Sequence, residues 1–494
     1  MRSTRLRFSA TAMLACVAFT WVACAGAAAR APHVAAAGGD AARPSAVPFD
    51  SFLNDLEDRT FRFFWDTANP HNGLIPDRYP GPAVASIAAV GFGLTAYPIG
   101  VERGLVSADA ARERVLATLR FFVTAENQHG FYYHFLDMHT GKRALKSEVS
   151  TIDTALLLAG MLFCESYFDS EDPRDVEIRK LIDEIYRRTD WTWAQPRAPA
   201  VALAWTPESG FSPEDWSGYN EAMLVYLLAL GSPSHPIAAQ AWTRWTSTYD
   251  HYWGTMYDQT YLCFAPLFGH QYTHVWVDFR GIRDQYMRAH GLDYFQNSRR
   301  ATYTQRRYAI ANPKHWLGYG KNVWGMSASD GPGAVGEDAL GHEIPFLSYA
   351  ARGVGLRTIV DDGTIAPTAA ISSLPFAPEI VLPAAHEMYQ RFGRSIYSTY
   401  GFFDAFNVSF HEASETQQQR AQGAPGAPGW VDPDYLGIDQ GPILAMIENY
   451  RSNLIWRFMR GNPYLRAGLE RAGFSGGWLA QAASTGTPAP AGAP

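Results

Sequence analysis

Cysteine is scarce in this chain, four among 494 residues, and only Cys164 and Cys263 lie beyond the N-terminal segment. Both sit in apolar contexts (GMLFCESYF and YLCFAPLFG), which leaves two readings open, buried free thiols or one bridge. No Lys/Arg block follows the N-terminus and the formal net charge is -7, so neither a polyphosphate backbone nor an anionic membrane surface is an obvious partner. No later apolar run reaches the ~20 residues needed to span a bilayer. Short repeats and alternating β-branched stretches are almost missing. Absent too are GxxxxGK(S/T), the second His of HExxH after HEIP, HEMYQ and HEASE, and GxSxG. These gaps argue against a phosphate loop, a zinc site and a serine nucleophile, and no metal or cofactor is expected.

What is present is an ordinary apolar fraction, 47%, with an aromatic share of 14% that includes fifteen Trp and twenty-five Tyr. Such rings join an apolar face to a polar handle, which suits stacking on sugars and equally suits filling a large helical core. The N-terminus reads as a secretory signal over residues 1–31, with basic MRSTRLRF, apolar SATAMLACVAFTWVAC and small-residue AGAAARA in order. A periplasmic or secreted location follows. Cys24 before Ala-Gly is the alternative, a lipid-attachment cysteine and the sole route to a membrane, although Trp21 is unlike the aliphatic residue usual three positions upstream. Residues 32–48 form an Ala/Gly/Pro-rich linker and 476–494 a tail of similar composition.

Between them the period is helical. Helices are expected over roughly 50–66, 84–102, 107–125, 150–168, 173–189, 217–230, 234–249, 272–290, 292–310, 364–373, 377–392 and 439–460. Some are apolar all round (TALLLAGMLF, EAMLVYLLAL, GPILAMIENY) and others amphipathic (SADAARERVLATLRFF, PRDVEIRKLIDEIYRR). A double ring of helices requires this alternation, because its inner ring is covered on both sides and its outer ring meets water. The expected fold is an all-α, single-domain (α/α)6 toroid spanning 49–475. Parallel inner helices would gather their N-termini at one mouth.

Three of the buried-type helices open on an acid: Asp153 in STIDTALLLAG, Glu221 in YNEAMLVYLL and Asp439 in LGIDQGPILAM. The macrodipole favours a carboxylate at a helix start, so capping accounts for any one of them. Three together among aromatics read as a site. Glycosidic cleavage needs a protonated carboxyl for the leaving oxygen and an ionised one for water or for the anomeric carbon. Glu221, beside its apolar helix and near Asp215, is the expected acid. For the second carboxylate, Asp404 in STYGFFDAFNVSF and Asp153 both remain. Asp215, Trp216, Tyr219, Asp439, and Trp324 and Asp330 of NVWGMSASDGPGAVGED are expected to line the cleft, with Glu337 at its border. Either Trp216 or Tyr219 should reach it as a stacking platform.

Eight ordered segments carry a family resemblance: FLNDLEDRTFRFFWDTANPHNGLIPDR, SIAAVGFGLTAYPIGVERG, STIDTALLLAGML, YNEAMLVYLLALGSP, WGMSASDGPG, IVDDGTIAPTAAISSLPFAPE, YGFFDAFN and YLGIDQGPILAMIENYRSNLIW. From about residue 50 to 475 the chain resembles the bacterial glucoamylase-like domain of glycoside hydrolase family 144. The resemblance implies an (α/α)6 enzyme cleaving β-1,2-glucan by inversion, with Glu221 as general acid, Asp404 on the base side and Asp153 as a further site acid. Expected products are short sophoro-oligosaccharides. Alternatives are an exo-acting sophorose-releasing enzyme, a transglycosylase of the same fold, a lyase of the same fold acting on uronic acids, or a glycan-binding protein whose acids only cap helices. One departure is the Gln/Gly/Pro-rich stretch in HEASETQQQRAQGAPGAPGWVDPDY, which could alter access to the cleft.

Overall fold

The apolar runs become helices with no wet side. The computed structural model describes residues 49–333, 335–337, 342–412 and 428–480. The signal segment, Cys24, the linker and most of the Gln/Gly/Pro-rich stretch lie outside these residues, as does the side chain of Glu337. In Ile87–Glu102 every residue from Ile87 to Gly100 is buried, and Met223–Gly231 is buried throughout. Ala108–Thr124 and Pro173–Arg188 bury one stripe each, through Val115, Leu119 and Phe122 and through Ile178, Ile182 and Ile185. Their charged faces stay in water, as amphipathic period predicts.

Covered and half-covered helices alternate along the chain in six pairs. Phe49–Thr67, Ala108–Thr124, Pro173–Arg188, Gln240–Thr246, Tyr294–Ala311 and Pro378–Ile396 form the outer members. Ile87–Glu102, Thr151–Tyr167, Met223–Gly231, Tyr272–Trp276, Pro367–Ile371 and Gly437–Ser452 form the inner ones. Among the inner helices, Ile87–Glu102 packs on both Thr151–Tyr167 and Gly437–Ser452. The first of these crossings brings backbone against backbone: a Cβ on Gly160 would lie 2.0 Å from the Gly91 carbonyl oxygen. The double ring of the sequence reading is therefore the observed architecture.

Helix starts meet at one end. Thr273 Oγ1 donates to the Glu221 carbonyl at 3.4 Å, Thr368 Oγ1 to the Asp439 carbonyl at 3.0 Å, and Gly437 N to the Asp77 carbonyl at 2.8 Å. Short antiparallel strands lead into several of these starts: Val84–Ser86, Val149–Ser150, Thr364–Ile365 and Tyr435–Leu436 each precede an inner helix. Ser86 and Ser150 cap theirs, accepting from Ala89 N and Asp153 N.

Three expected helices are interrupted for local reasons. The one expected over 272–290 stops at Trp276 and resumes as Gln285–Ala289, because Gly281 takes φ +76° and Asp284 caps a new start through Met287 N. The last inner helix ends at Asn453, whose φ of +56° closes it in the left-handed conformation before Leu454–Met459. The third, expected from 217, begins at Met223 after a turn containing Gly218 at φ +77°. The tail also begins later than expected, since Gly477–Ala480 form a 3₁₀ turn and the Trp478 indole donates to the Asp278 carbonyl at 2.7 Å. Cys164 and Cys263 are buried free thiols. No helix among the described residues is long and apolar enough to cross a membrane.

Candidate active site

Carboxyls crowd the end where the inner helices start. Asp404 lies just before Phe406–Asn407, and pairing of that strand with Trp430–Val431 draws a second acidic segment alongside it. Asp404 N donates to the Asp434 carbonyl at 3.0 Å and Asp432 N to the Ala405 carbonyl at 2.9 Å. The Asp330 amide donates to Asp404 Oδ2 at 2.7 Å. Asp439, in the first turn of its inner helix, shares a carboxyl hydrogen bond with Asp404. Asp404, Asp432 and Asp439 are all nearly inaccessible. The Arg78 guanidinium faces this group, reaching Asp330 at 2.8 Å, Asp434 at 3.2 Å and Asp77 at 3.7 Å.

Like charges so close in a dry interior cannot all ionise. Burial, then the charges of Asp439 and Asp330, hold the Asp404 carboxyl well above the usual range. Burial pushes Asp439 up to about 7, against the hydrogen bond from Asp404 and with the charges of Asp330, Asp77 and Asp432. Burial, with Asp404 and Asp330, takes Asp432 to about 8. The cluster keeps protons near neutrality and titrates as a unit. Among the described residues no N–H or hydroxyl group donates to the buried Asp404 Oδ1, Asp432 Oδ2 or Asp439 Oδ2. A buried acceptor left so costs about 1–3 kcal/mol, so these oxygens are set to receive a hydroxyl or water.

Glu221 joins this end of the molecule. It is 6% exposed and precedes its helix by two residues. Asn220 Oδ1 accepts from Ala222 N at 3.0 Å in the turn before the helix, and the helix start itself carries no side-chain cap. Tyr272, at the start of the next inner helix, registers the convergence: burial and the charges of Asp439, Glu221 and Asp404 drive its hydroxyl pKa far up. Asp153, by contrast, does serve its helix, accepting from the Ser150 hydroxyl while Ser150 caps Asp153 N. It also lies 3.7 Å from His134 Nε2, and Glu148 Oε1 lies 2.9 Å from His134 Nδ1. Burial alone would depress His134; Asp153 and Glu148 overcome it and raise the imidazole to about 9. Asp330, Asp404 and Asp432, and likewise His134, Glu148 and Asp153, bring ligand atoms within 4.8 Å of one another. In the first trio Arg78 already supplies positive charge, and in the second the His134 proton does.

Three expected cleft residues sit elsewhere. Asp215 is held by the Arg197 fork at 2.6 and 2.9 Å, a surface pair drawn out by the strand-like turn before the helix. Trp216 is 5% exposed and its indole donates to Thr151 Oγ1 at 2.9 Å. Tyr219 lies stacked on Tyr294 with a centroid distance of 5.7 Å and meets His270 on another side. Both rings belong to the buried core, Tyr219 being 4% exposed. Trp324 is buried as well, with its indole nitrogen unpartnered among the described residues. Trp216→Ala is accordingly expected to destabilise the fold by about 3–5 kcal/mol, the usual result of emptying a Trp site, which calorimetry would register as a large fall in melting temperature. An unchanged melting temperature with weakened sugar binding would restore the platform reading.

The structure brings Asp404, Asp439, Asp330 and Glu221 to one end and places Asp153 beside His134. Asp432, Asp434, Arg78, Asp77, His134 and Tyr272 join the site without standing out in the sequence. Their signal was weak: Asp432 and Asp434 occupy WVDPDY and Arg78 follows Asp77 in LIPDR, both of which read as turns.

A glycoamylase family model matches residues 213–463, a span that holds Glu221, Asp330, Asp404, Asp432 and Asp439 and leaves Arg78, His134 and Asp153 outside. The chain is 27% identical over 454 residues to the exo β-1,2-glucooligosaccharide sophorohydrolase (non-reducing end) of Parabacteroides distasonis, across 85% of this chain and 58% of that protein. It thus spans little more than half the length of that relative. Among solved structures it resembles a Bacteroides uniformis protein at 32% identity and a TM-score of 0.77, covering 88% of this chain and all of that one. It also resembles the endo-β-1,2-glucanase of Chitinophaga pinensis, solved with sophorotriose and glucose, at 29% identity and a TM-score of 0.76, with 88% and 100% covered.

Proposed function

The chain belongs to the glycoamylase family, and from that membership and the buried carboxyl cluster we propose that it is a glycoside hydrolase cleaving β-1,2-glucan. One observation carries the reading: Asp404, Asp439 and Asp432 converge with unpartnered buried oxygens at the same helix starts as Glu221. In the proposed reaction Glu221 gives its proton to the glycosidic oxygen as the C1–O bond breaks. The Asp404–Asp439 pair takes a proton from the water that attacks C1 from the opposite face, so the anomeric centre inverts. A lyase is disfavoured because Arg78, the guanidinium at the cluster, is engaged by Asp330 and Asp434 and is not free to neutralise a uronate.

The Parabacteroides relative is an exo enzyme and the Chitinophaga relative an endo enzyme. We favour the endo type, releasing short sophoro-oligosaccharides, because the likeness to the latter extends over the whole of its chain. The exo reading remains the second one. Export to the periplasm or beyond is likewise proposed, on the N-terminal pattern of charge and apolarity. Linear β-1,2-glucan incubated with the purified protein should yield new reducing ends, with mixed oligosaccharides early in the reaction and the α-anomer appearing first by NMR. Sophorose alone from the outset would select the exo reading, initial β-anomer would exclude inversion, and intact glucan would sink the assignment.

A further inference from the structure

With Trp216, Tyr219 and Trp324 buried, the acids need another ring if a sugar is to rest against the site. Few large side chains among the described residues are both aromatic and open to solvent, and Tyr349 is one of them, 38% exposed. Its position is fixed by neighbours on either side. Ala350–Ala351 pairs antiparallel with Ala328–Ser329, Ser329 facing Ala350, which sets Asp330, the residue after one strand, and Tyr349, the residue before the other, at the same end of the pair.

A buried arginine locks this arrangement. Arg352 is fully inaccessible and is paired with Asp362 at 2.7 and 2.9 Å. It donates to the Ser329 and Asp330 carbonyls at 2.9 and 3.3 Å on one side. On the other it donates to those of Leu347 and Ser348 at 2.9 and 3.0 Å. Leu347 N is anchored to the same Asp362 at 2.9 Å. A buried ion pair carries a desolvation cost, and here it clamps together the two backbones that present Asp330 and Tyr349. An exposed ring on so rigid a mount is preorganised, which lowers the entropy lost when a ligand binds.

We propose that Tyr349 is a substrate-binding residue of this site, its ring forming a wall for a glucosyl unit and its hydroxyl hydrogen-bonding that sugar. The inference rests on the β-1,2-glucan reading above. The surroundings suit the role: Asp439, Asp404, Asp77 and Asp330 all act on the phenol, and burial of the hydroxyl together with their charges holds its pKa well above the ordinary value. The hydroxyl therefore keeps its proton and stays a donor throughout the working pH range, beside groups that only accept once ionised.

The test compares wild type, Tyr349→Phe and Tyr349→Ala on linear β-1,2-glucan, with kcat, KM and melting temperature measured for each. Because the ring is exposed, all three should melt alike. Tyr349→Ala should raise KM by roughly tenfold or more, and Tyr349→Phe, which keeps the wall and loses the donor, by less. If wild type cleaves the glucan and both variants match it in kcat and KM, the role of Tyr349 is rejected and the enzyme reading stands. A loss of activity in Tyr349→Ala that follows a fall in melting temperature, with Tyr349→Phe unchanged in every respect, rejects it too, since the ring would then be structural. If wild type leaves the glucan intact, both readings fall.

Discussion

Glu221→Gln is expected to lower turnover on β-1,2-glucan by roughly 10²–10⁴, the range in which a positioned general acid acts, while the protein folds as before. Glutamine keeps the volume of the side chain, which is 6% exposed, and the helix start has no side-chain cap for the substitution to remove. The backbone carbonyl that receives Thr273 Oγ1 is untouched. What disappears is the proton for the leaving oxygen. A β-glucoside whose leaving group departs without protonation should therefore lose far less rate than the polymer does, a split that a packing defect would not produce. Near-native turnover on the polymer would remove Glu221 from the acid role, whatever its burial.

The architecture was legible because it rests on apolar period. TALLLAGMLF and EAMLVYLLAL have no polar face, and only an inner ring gives such helices cover on all sides. Helix ends were less legible, since Gly218, Gly281 and Asn453 impose left-handed turns that period alone does not register. Acids on helix starts could be found for a related reason: Asp439 and Asp153 occupy first turns, where the macrodipole makes a carboxylate stand out. Asp432 and Arg78 could not, because short strands bring them in. The pairing of Phe406–Asn407 with Trp430–Val431 and of Arg78–Tyr79 with Tyr435–Leu436 joins segments far apart in the chain, and two-residue strands leave no alternating pattern to detect.

Aromatic content was the misleading cue. A Trp and a Tyr next to a candidate acid suggest stacking, yet both Trp216 and Tyr219 plug the core beneath the turn. A ring's amphipathic chemistry is the same in either place, so burial decides its use, and burial depends on a fold that the local sequence does not specify. Tyr349, flanked by Ser and Ala, carries no local mark of its exposure for the same reason.

Asp404→Asn should move activity and stability in opposite directions. The amide retains an acceptor for the Asp330 N–H, now 2.7 Å from Oδ2, and occupies the same space, but it cannot take the proton of an attacking water. Turnover on β-1,2-glucan should fall by a factor comparable to that for the acid, on the order of 10²–10⁴. Stability responds to the cluster's charge. Burial and the neighbours Asp439 and Asp330 raise the Asp404 carboxyl in the folded protein, whereas the unfolded chain releases that proton at an ordinary carboxyl value near 3.9. Over the interval between, the unfolded state binds fewer protons, so stability falls as pH rises. The contribution is fully present below the unfolded value and is lost as pH climbs through the folded values, which for the partners Asp439 and Asp432 are about 7 and about 8. Asparagine removes one member of this set. The variant should melt with wild type near pH 2, below the unfolded value, where the carboxyls of both states carry protons, and roughly a few degrees higher near pH 8, where wild type holds its carboxyls against their own repulsion. Melting curves at the two pH values, taken beside the turnover measurement, give the decisive comparison. A variant that is inactive and also less stable at pH 8 would mean that Asp404 holds the fold together, and the cluster would lose its claim to be built for chemistry.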